Sequence, residues 1–150
     1  MRAVIQRVSC ANVKVDGEII GQIGPGLLIF LGIEDSDDGT DVIWLAKKIT
    51  SLRIFSDSEG KMNRDIGQIN GRLLVVSQFT LHASTKKGSR PSFIKAARPE
   101  KAIPLYEEFV CECENLLGEK VETGKFGEMM SVELENDGPV TITIDTRNKE

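Results

Sequence analysis

Apolar positions fall into blocks whose spacing predicts strand, then helix, then strand. Residues 2–8 and 12–16 read as strand, with Val4, Val13 and Val15 as apolar anchors. Asp16-Gly17 between them and Glu18-Ile19-Ile20 is a strong hairpin signal. Gly21, Gly24, Pro25 and Gly26 read as turn residues ahead of Leu27–Ile33, an unbroken apolar run of the fully buried type. Val42, Leu45, Ile49 and Leu52 recur at helical spacing, predicting a helix from about Val42 to Ser51. Arg53-Ile54-Phe55 resumes extended structure, Asp57–Gly60 turns, and Asn63–Asn70 reads as loop or short turns. A second helix should start near Arg98-Pro99 and stop before Gly118, with Ala102, Tyr106, Phe109, Cys113 and Leu116 as its apolar stripe. Two alternating stretches close the chain, one on Met130, Val132 and Leu134, the other on Val140, Ile142 and Ile144. Strands with two main helices, and no repeat or linker, predict a single α+β domain over residues 1–150.

One block departs from this regularity. Leu73-Leu74-Val75-Val76 begins as a core strand, but Ser77, Gln78 and Thr80 interrupt it. If the strand continued to His82, Gln78, Thr80 and His82 would share one face, and Ser77, Phe79 and Leu81 the other. Polar groups in a buried segment must find partners or cost about 1–3 kcal/mol each. A ligand site would account for them.

Composition narrows the class. A chain of 150 residues, 40% hydrophobic and 28% charged, has the make-up of a water-soluble globular domain. No apolar run approaches the roughly 20 residues of a membrane helix. Gln6 and Arg7 interrupt the place where a signal peptide would be apolar, and the three cysteines have no zinc-site spacing. The expectation is a cytoplasmic protein without membrane attachment. Cys111 and Cys113, two apart on a helix, should diverge. Net charge is −4, which offers no global attraction to nucleic acid. Locally, Lys86, Lys87, Arg90, Lys95, Arg98 and Lys101 face one acid, Glu100. That run is either a solvated loop or a phosphate-holding rim.

The usual catalytic patterns fare poorly. Glu34, Asp35, Asp37, Asp38 and Asp41 suggest calcium, but Ala46 occupies the twelfth loop position counted from Asp35. Acids at a helix start suit them better. A Thr80–His82 dyad would place the two side chains roughly 6–7 Å apart along a strand, too far for direct proton transfer. His82 is then a surface or loop residue, and no metal or cofactor is expected. Asn136-Asp137-Gly138-Pro139 reads as an ordinary turn between two strands, although a proline where pairing should resume is unusual. From these residues alone the substrate stays open.

Two separated segments add a resemblance. Ser77-Gln78-Phe79-Thr80-Leu81 and Asn136-Asp137-Gly138-Pro139-Val140-Thr141 together resemble the D-aminoacyl-tRNA deacylase family. So do Ala3–Val8 and Lys86-Lys87-Gly88-Ser89-Arg90-Pro91-Ser92-Phe93, so the likeness runs nearly end to end. The resemblance implies a strand-rich, barrel-like homodimer. It implies hydrolysis of the ester between a D-amino acid, or glycine, and the 3′ end of tRNA. Ser77, Gln78, Phe79 and Thr80 would form the catalytic segment. Gly138 and Pro139, joined by a cis bond, would enter the partner subunit's site and reject L-amino acids. Met130 would wall the pocket or serve as core, Arg7 would brace the partner's loop, and Lys86, Lys87 and Arg90 would meet tRNA.

Overall fold

The computed structural model describes residues 1–149. Its framework is a curled sheet in the spatial order Glu18–Ile23, Arg2–Val15, Gly26–Gly32, Arg72–Ser77 and Glu122–Thr123, with Ser131–Asp145 on the free side of Arg2–Val15. The strands are β1 (Arg2–Val15), β2 (Glu18–Ile23), β3 (Gly26–Gly32), β6 (Arg72–Ser77), β7 (Glu122–Thr123) and β8 (Ser131–Asp145). A small ribbon, β4 (Phe55–Ser56) with β5 (Met62–Arg64), stands apart. Helices α1 (Gly39–Thr50) and α2 (Pro99–Leu117) complete a strand-rich, nearly closed barrel in one α+β domain.

β1 is one strand of 14 residues rather than two short ones. Its first half pairs with β3 and its second with β2, and β8 runs along nearly all of it. The β1–β2 turn has Asp16 at φ 50° and Gly17 at φ 81°. Two successive left-handed residues define the hairpin turn that matches strand twist.

Two glycines expected in turns are strand residues set by close approach. A Cβ on Gly26 would sit 1.9 Å from the Arg72 carbonyl oxygen, and one on Gly21 2.7 Å from that of Thr123. The second contact brings β2 over β6 and β7, curling the sheet toward closure.

Alternation along the central strands divides the apolar residues between two faces. Ala3, Ile5, Leu27, Ile29, Leu73 and Val75 pack under the helices. Val8, Val13, Ile23, Leu28, Leu74 and Val76 fill the other side. α1 begins three residues earlier than its apolar period suggests, because Asp38 caps it: its side chain accepts from Thr40 N at 2.9 Å. α2 starts at Pro99 and ends before Gly118 at φ 67°. Tyr106 anchors it to β6 by donating to the Val75 carbonyl at 2.7 Å. Leu116 points outward, 40% exposed, while its neighbour Leu117 packs against the core.

The tail differs from the expected hairpin. β8 is a single strand whose two halves both pair with β1, Leu134 opposite Ala11 and Thr143 opposite Val4. Register jumps from Asn136↔Val8 to Thr141↔Gln6, so four residues, 137–140, bulge out opposite Arg7. A turn signal makes a bulge here because long β1 accepts both flanks. Asn136 closes the base, its Oδ1 accepting from Val140 N at 2.8 Å and its Nδ2 donating to the Val140 carbonyl at 3.1 Å.

Candidate active site

The interrupted block does not continue as strand. β6 lies parallel to β3, and its last pair is Leu31↔Ser77. Gln78 N makes a final ladder bond to the Leu31 carbonyl at 2.8 Å. Beyond that, β3 has ended at Gly32, and the chain turns into a 3₁₀ turn over Phe79–His82. Gln78, Thr80 and His82 therefore do not share a strand face. The turn can lie close because Gly32 has no side chain: a Cβ there would meet the Gln78 carbonyl oxygen at 2.9 Å and Leu81 Cβ at 3.0 Å.

His82 is buried, at 1% exposure, not a surface residue. Its Nδ1 lies 3.8 Å from Glu34 Oε2, and neither ring nitrogen has a hydrogen-bond partner among the described residues. Thr80 makes its polar contact elsewhere, accepting from Gln78 Nε2 at 2.5 Å. The Phe79 and Thr80 N–H groups open the turn, where a helix supplies no internal acceptor. Neither meets one among the described residues.

Beside this turn is a cavity of about 650 Å³. Ser77, Gln78, Phe79 and Met130 line it, joined by Phe93 and Phe126, whereas Thr80, expected in the same catalytic segment, is not among the lining residues. Phe79 is 56% exposed and meets Phe93 edge-on, with ring centroids 5.1 Å apart. Met130 stands just before β8, where its Sδ accepts from Lys125 N at 3.4 Å. The result is a mostly apolar hollow with donors concentrated on one wall, which suits a small ligand that has a carbonyl to orient.

Other expected residues lie elsewhere. Lys86, Lys87 and Arg90 are exposed on a loop whose neck is the reciprocal Ser84–Ser92 backbone pair, at 2.8 and 2.9 Å. Of that basic run, Arg98 lines the cavity, at the N-cap of α2. Phe93, Phe126 and Arg98 as pocket residues had no local signal beyond Phe93's place beside Pro91-Ser92. Burial raises the Cys113 thiol pKa to about 12, with Glu112 and Glu114 adding to the effect. That thiol is a packing group.

The Gly138–Pro139 bond is cis, in agreement with the resemblance. Arg7, 8% exposed, holds this chain's own bulge. Its Nε donates to the Asp137 carbonyl at 2.9 Å and lies 3.1 Å from Asp137 Oδ2, while Nη1 donates to the Ile54 carbonyl at 2.5 Å. Within the chain Arg7 thus braces its own bulge, where the resemblance implied a partner's. Gly138 and Pro139 do not line the cavity of their own chain. The bulge sits level with Leu27 on β3 and the Phe79–His82 turn level with Leu31, four residues or roughly 13 Å away along the strand.

A donor-walled pocket on a small, nearly closed barrel, with a braced Gly-Pro bulge, defines a class of compact, ligand-binding barrel domain. The chain belongs to the D-Tyr-tRNA(Tyr) deacylase family, whose model matches residues 4–145. It is 61% identical to a D-aminoacyl-tRNA deacylase of Cytophaga hutchinsonii and 60% identical to one of Akkermansia muciniphila, over the full length of both chains in each case. A solved structure titled c-Myc DNA Unwinding Element Binding Protein superposes with a TM-score of 0.91 at 39% identity, covering 97% of this chain and 98% of that one. Another, titled as a probable eukaryotic D-amino acid tRNA deacylase, shares the fold with a TM-score of 0.82 at 17% identity, covering 95% and 97%.

Proposed function

We propose that this protein hydrolyses the ester joining a D-amino acid, or glycine, to the 3′ end of tRNA, that it spares L-aminoacyl-tRNA, and that it works as a homodimer. One observation carries the dimer. The cavity beside Gln78 and Phe79 lacks the Gly-Pro bulge of its own chain, so a bulge acting there must come from a second copy.

The chemistry suits positioning. An aminoacyl ester is already activated, so orientation and stabilisation of the developing oxyanion can supply much of the rate. The Phe79 N–H and the Gln78 amide belong to residues that line the cavity and would polarise the ester carbonyl, while the Thr80 hydroxyl, which accepts from Gln78 Nε2, would orient that amide. Water adds to the carbonyl carbon, the tetrahedral oxyanion collapses, and the ribose 3′-oxygen leaves with a proton. The neighbouring 2′-hydroxyl helps activate the water. Main-chain carbonyls of a partner's Gly138–Pro139 would hold the substrate amino group, leaving room for hydrogen or a D side chain and none for an L one. Exclusion by backbone suits an enzyme that must accept many side chains.

Incubation with D-tyrosyl-tRNA and L-tyrosyl-tRNA tests this reading, and release of tyrosine from the D substrate alone is the expected result. Cleavage of both would indicate a general esterase, and cleavage of neither a tRNA-binding dimer without turnover. Thr80→Ala should keep substantial activity. Loss to background, with an acyl-Thr80 trapped in the parent, would instead make Thr80 the nucleophile.

A further inference from the structure

A second cavity abuts the catalytic turn. It occupies about 600 Å³ between α1 and the C-terminal half of β8, with Trp44, Lys48 and Lys149 on one side and Arg2, Leu81 and Thr143 on the other. Leu81 belongs to the turn that carries Phe79, two residues or roughly 4 Å away at a 3₁₀ rise. Arg2 ties the two regions together by donating from Nη1 to the Leu81 carbonyl at 3.0 Å. The turn is thus a thin wall with the candidate active site on one side and this groove on the other.

The groove combines a flat aromatic surface with positive charge. Trp44 is half-buried on α1, with Lys149 Nζ 4.4 Å and Lys48 Nζ 5.8 Å from its ring. Neither lysine has a carboxylate partner among the described residues. Asp145 is the one carboxylate in the lining, and it is engaged by Arg2 Nε at 2.9 Å. An aromatic plane flanked by cations, with the one neighbouring carboxylate already held by Arg2, is the equipment that binds single-stranded nucleic acid by stacking a base and pairing its phosphates. A small inorganic anion would use the lysines without the ring.

We propose that this groove binds a nucleotide of the single-stranded RNA 3′ end upstream of the terminal adenosine, its base on Trp44 and its phosphates against Lys48 and Lys149. The proposal rests on the deacylase reading for the direction of the strand. The terminal ribose and its ester occupy the cavity beside Gln78, and the preceding nucleotide crosses the turn. The Lys149 ammonium moves from the ring face to a phosphate as the base stacks.

Trp44 is the sole tryptophan of the chain, so its emission reports on this groove alone. Titration with the trinucleotide CCA, the sequence that ends tRNA, should quench that emission saturably, whereas adenosine or inorganic phosphate should not. The exposed double variant Lys48→Ala/Lys149→Ala should raise KM for D-tyrosyl-tRNA but leave hydrolysis of D-tyrosyl-adenosine unchanged. It should also flatten the log–log salt dependence of that KM by about 1.4, roughly 0.7 for each single-strand phosphate contact removed. No quenching by CCA, quenching equally strong with inorganic phosphate, or equal effects of the variant on both substrates would overturn the proposal. So would an emission shift that follows protein concentration alone, since a second copy would then cover the groove. Inactivity of the parent toward both substrates would defeat the deacylase reading, while the CCA titration would still decide whether the groove takes RNA.

Discussion

Replacing Arg7 with methionine tests how the Gly-Pro bulge is held. Arg7 is 8% exposed, and its guanidinium reaches two main-chain carbonyls, those of Asp137 and Ile54. Methionine keeps much of the volume but removes every donor. The Ile54 carbonyl belongs to a buried residue, and leaving it unpaired costs about 1–3 kcal/mol. The Asp137 carbonyl sits on an exposed bulge where water can replace the lost bond, so it adds little. The ion pair with Asp137 Oδ2 contributes only ~0–1 kcal/mol, because that carboxylate is 58% exposed. Removing a buried cation returns part of its desolvation cost. The balance is a loss of about 2 kcal/mol, or roughly 4–8 °C in Tm for a domain of this size. Thermal unfolding by circular dichroism reads the stability, and the rate on L-tyrosyl-tRNA reads the bulge, which should lose discrimination. Asp137→Ala should cost under about 1 kcal/mol, because Arg7 keeps the Asp137 carbonyl. The reasoning fails if Arg7→Met melts within a degree of the parent with unchanged selectivity, or if Asp137→Ala is equally severe.

Other substitutions probe neighbouring links. Gly138 sits at φ 143°, and a Cβ there would lie 2.7 Å from Val140 Cγ2, so Gly138→Ala should cost roughly 1–3 kcal/mol and raise cleavage of the L substrate. Gly32→Ala should push the Phe79–His82 turn off β3, lowering kcat about 10- to 100-fold with the circular dichroism spectrum unchanged. The Thr40 hydroxyl, then the Thr40 N–H, hold the Asp38 carboxyl below its ordinary value of 3.8. A depressed folded-state pKa stabilises above that value and the benefit is lost as pH falls through the lowered one. The Tm difference between parent and Asp38→Ala should therefore be full at pH 7 and close below pH 3.8. Iodoacetamide at mildly alkaline pH should modify exposed Cys10 and Cys111 in the native protein, and buried Cys113 only after denaturation, as mass spectrometry would show.

Local signals were legible in the sequence wherever the cause was local. Asp16-Gly17 makes its hairpin from its own backbone preferences, and Pro99 and Gly118 bound α2 for the same reason. The apolar runs of β3 and β6 were legible from their shortness and the glycines that flank them, which favour a buried strand over a helix. The resemblance to a family singled out Ser77, Gln78, Phe79, Thr80 and Met130, and all of these but Thr80 line one cavity.

What depended on neighbours could be decided only in three dimensions. Asn136–Pro139 has the residues of a hairpin, yet it bulges because one long β1 pairs with both flanks. The run from Leu73 stops being a strand at Ser77 because its partner β3 ends, and Gly32 then lets the polar residues turn back against the sheet. That same turn buries His82 and carries Leu81 to the Trp44 groove. Periodicity records which way a side chain faces along its own segment. It carries no information about which other segment arrives opposite, and in this protein the bulge, the turn and both cavities are made by such arrivals.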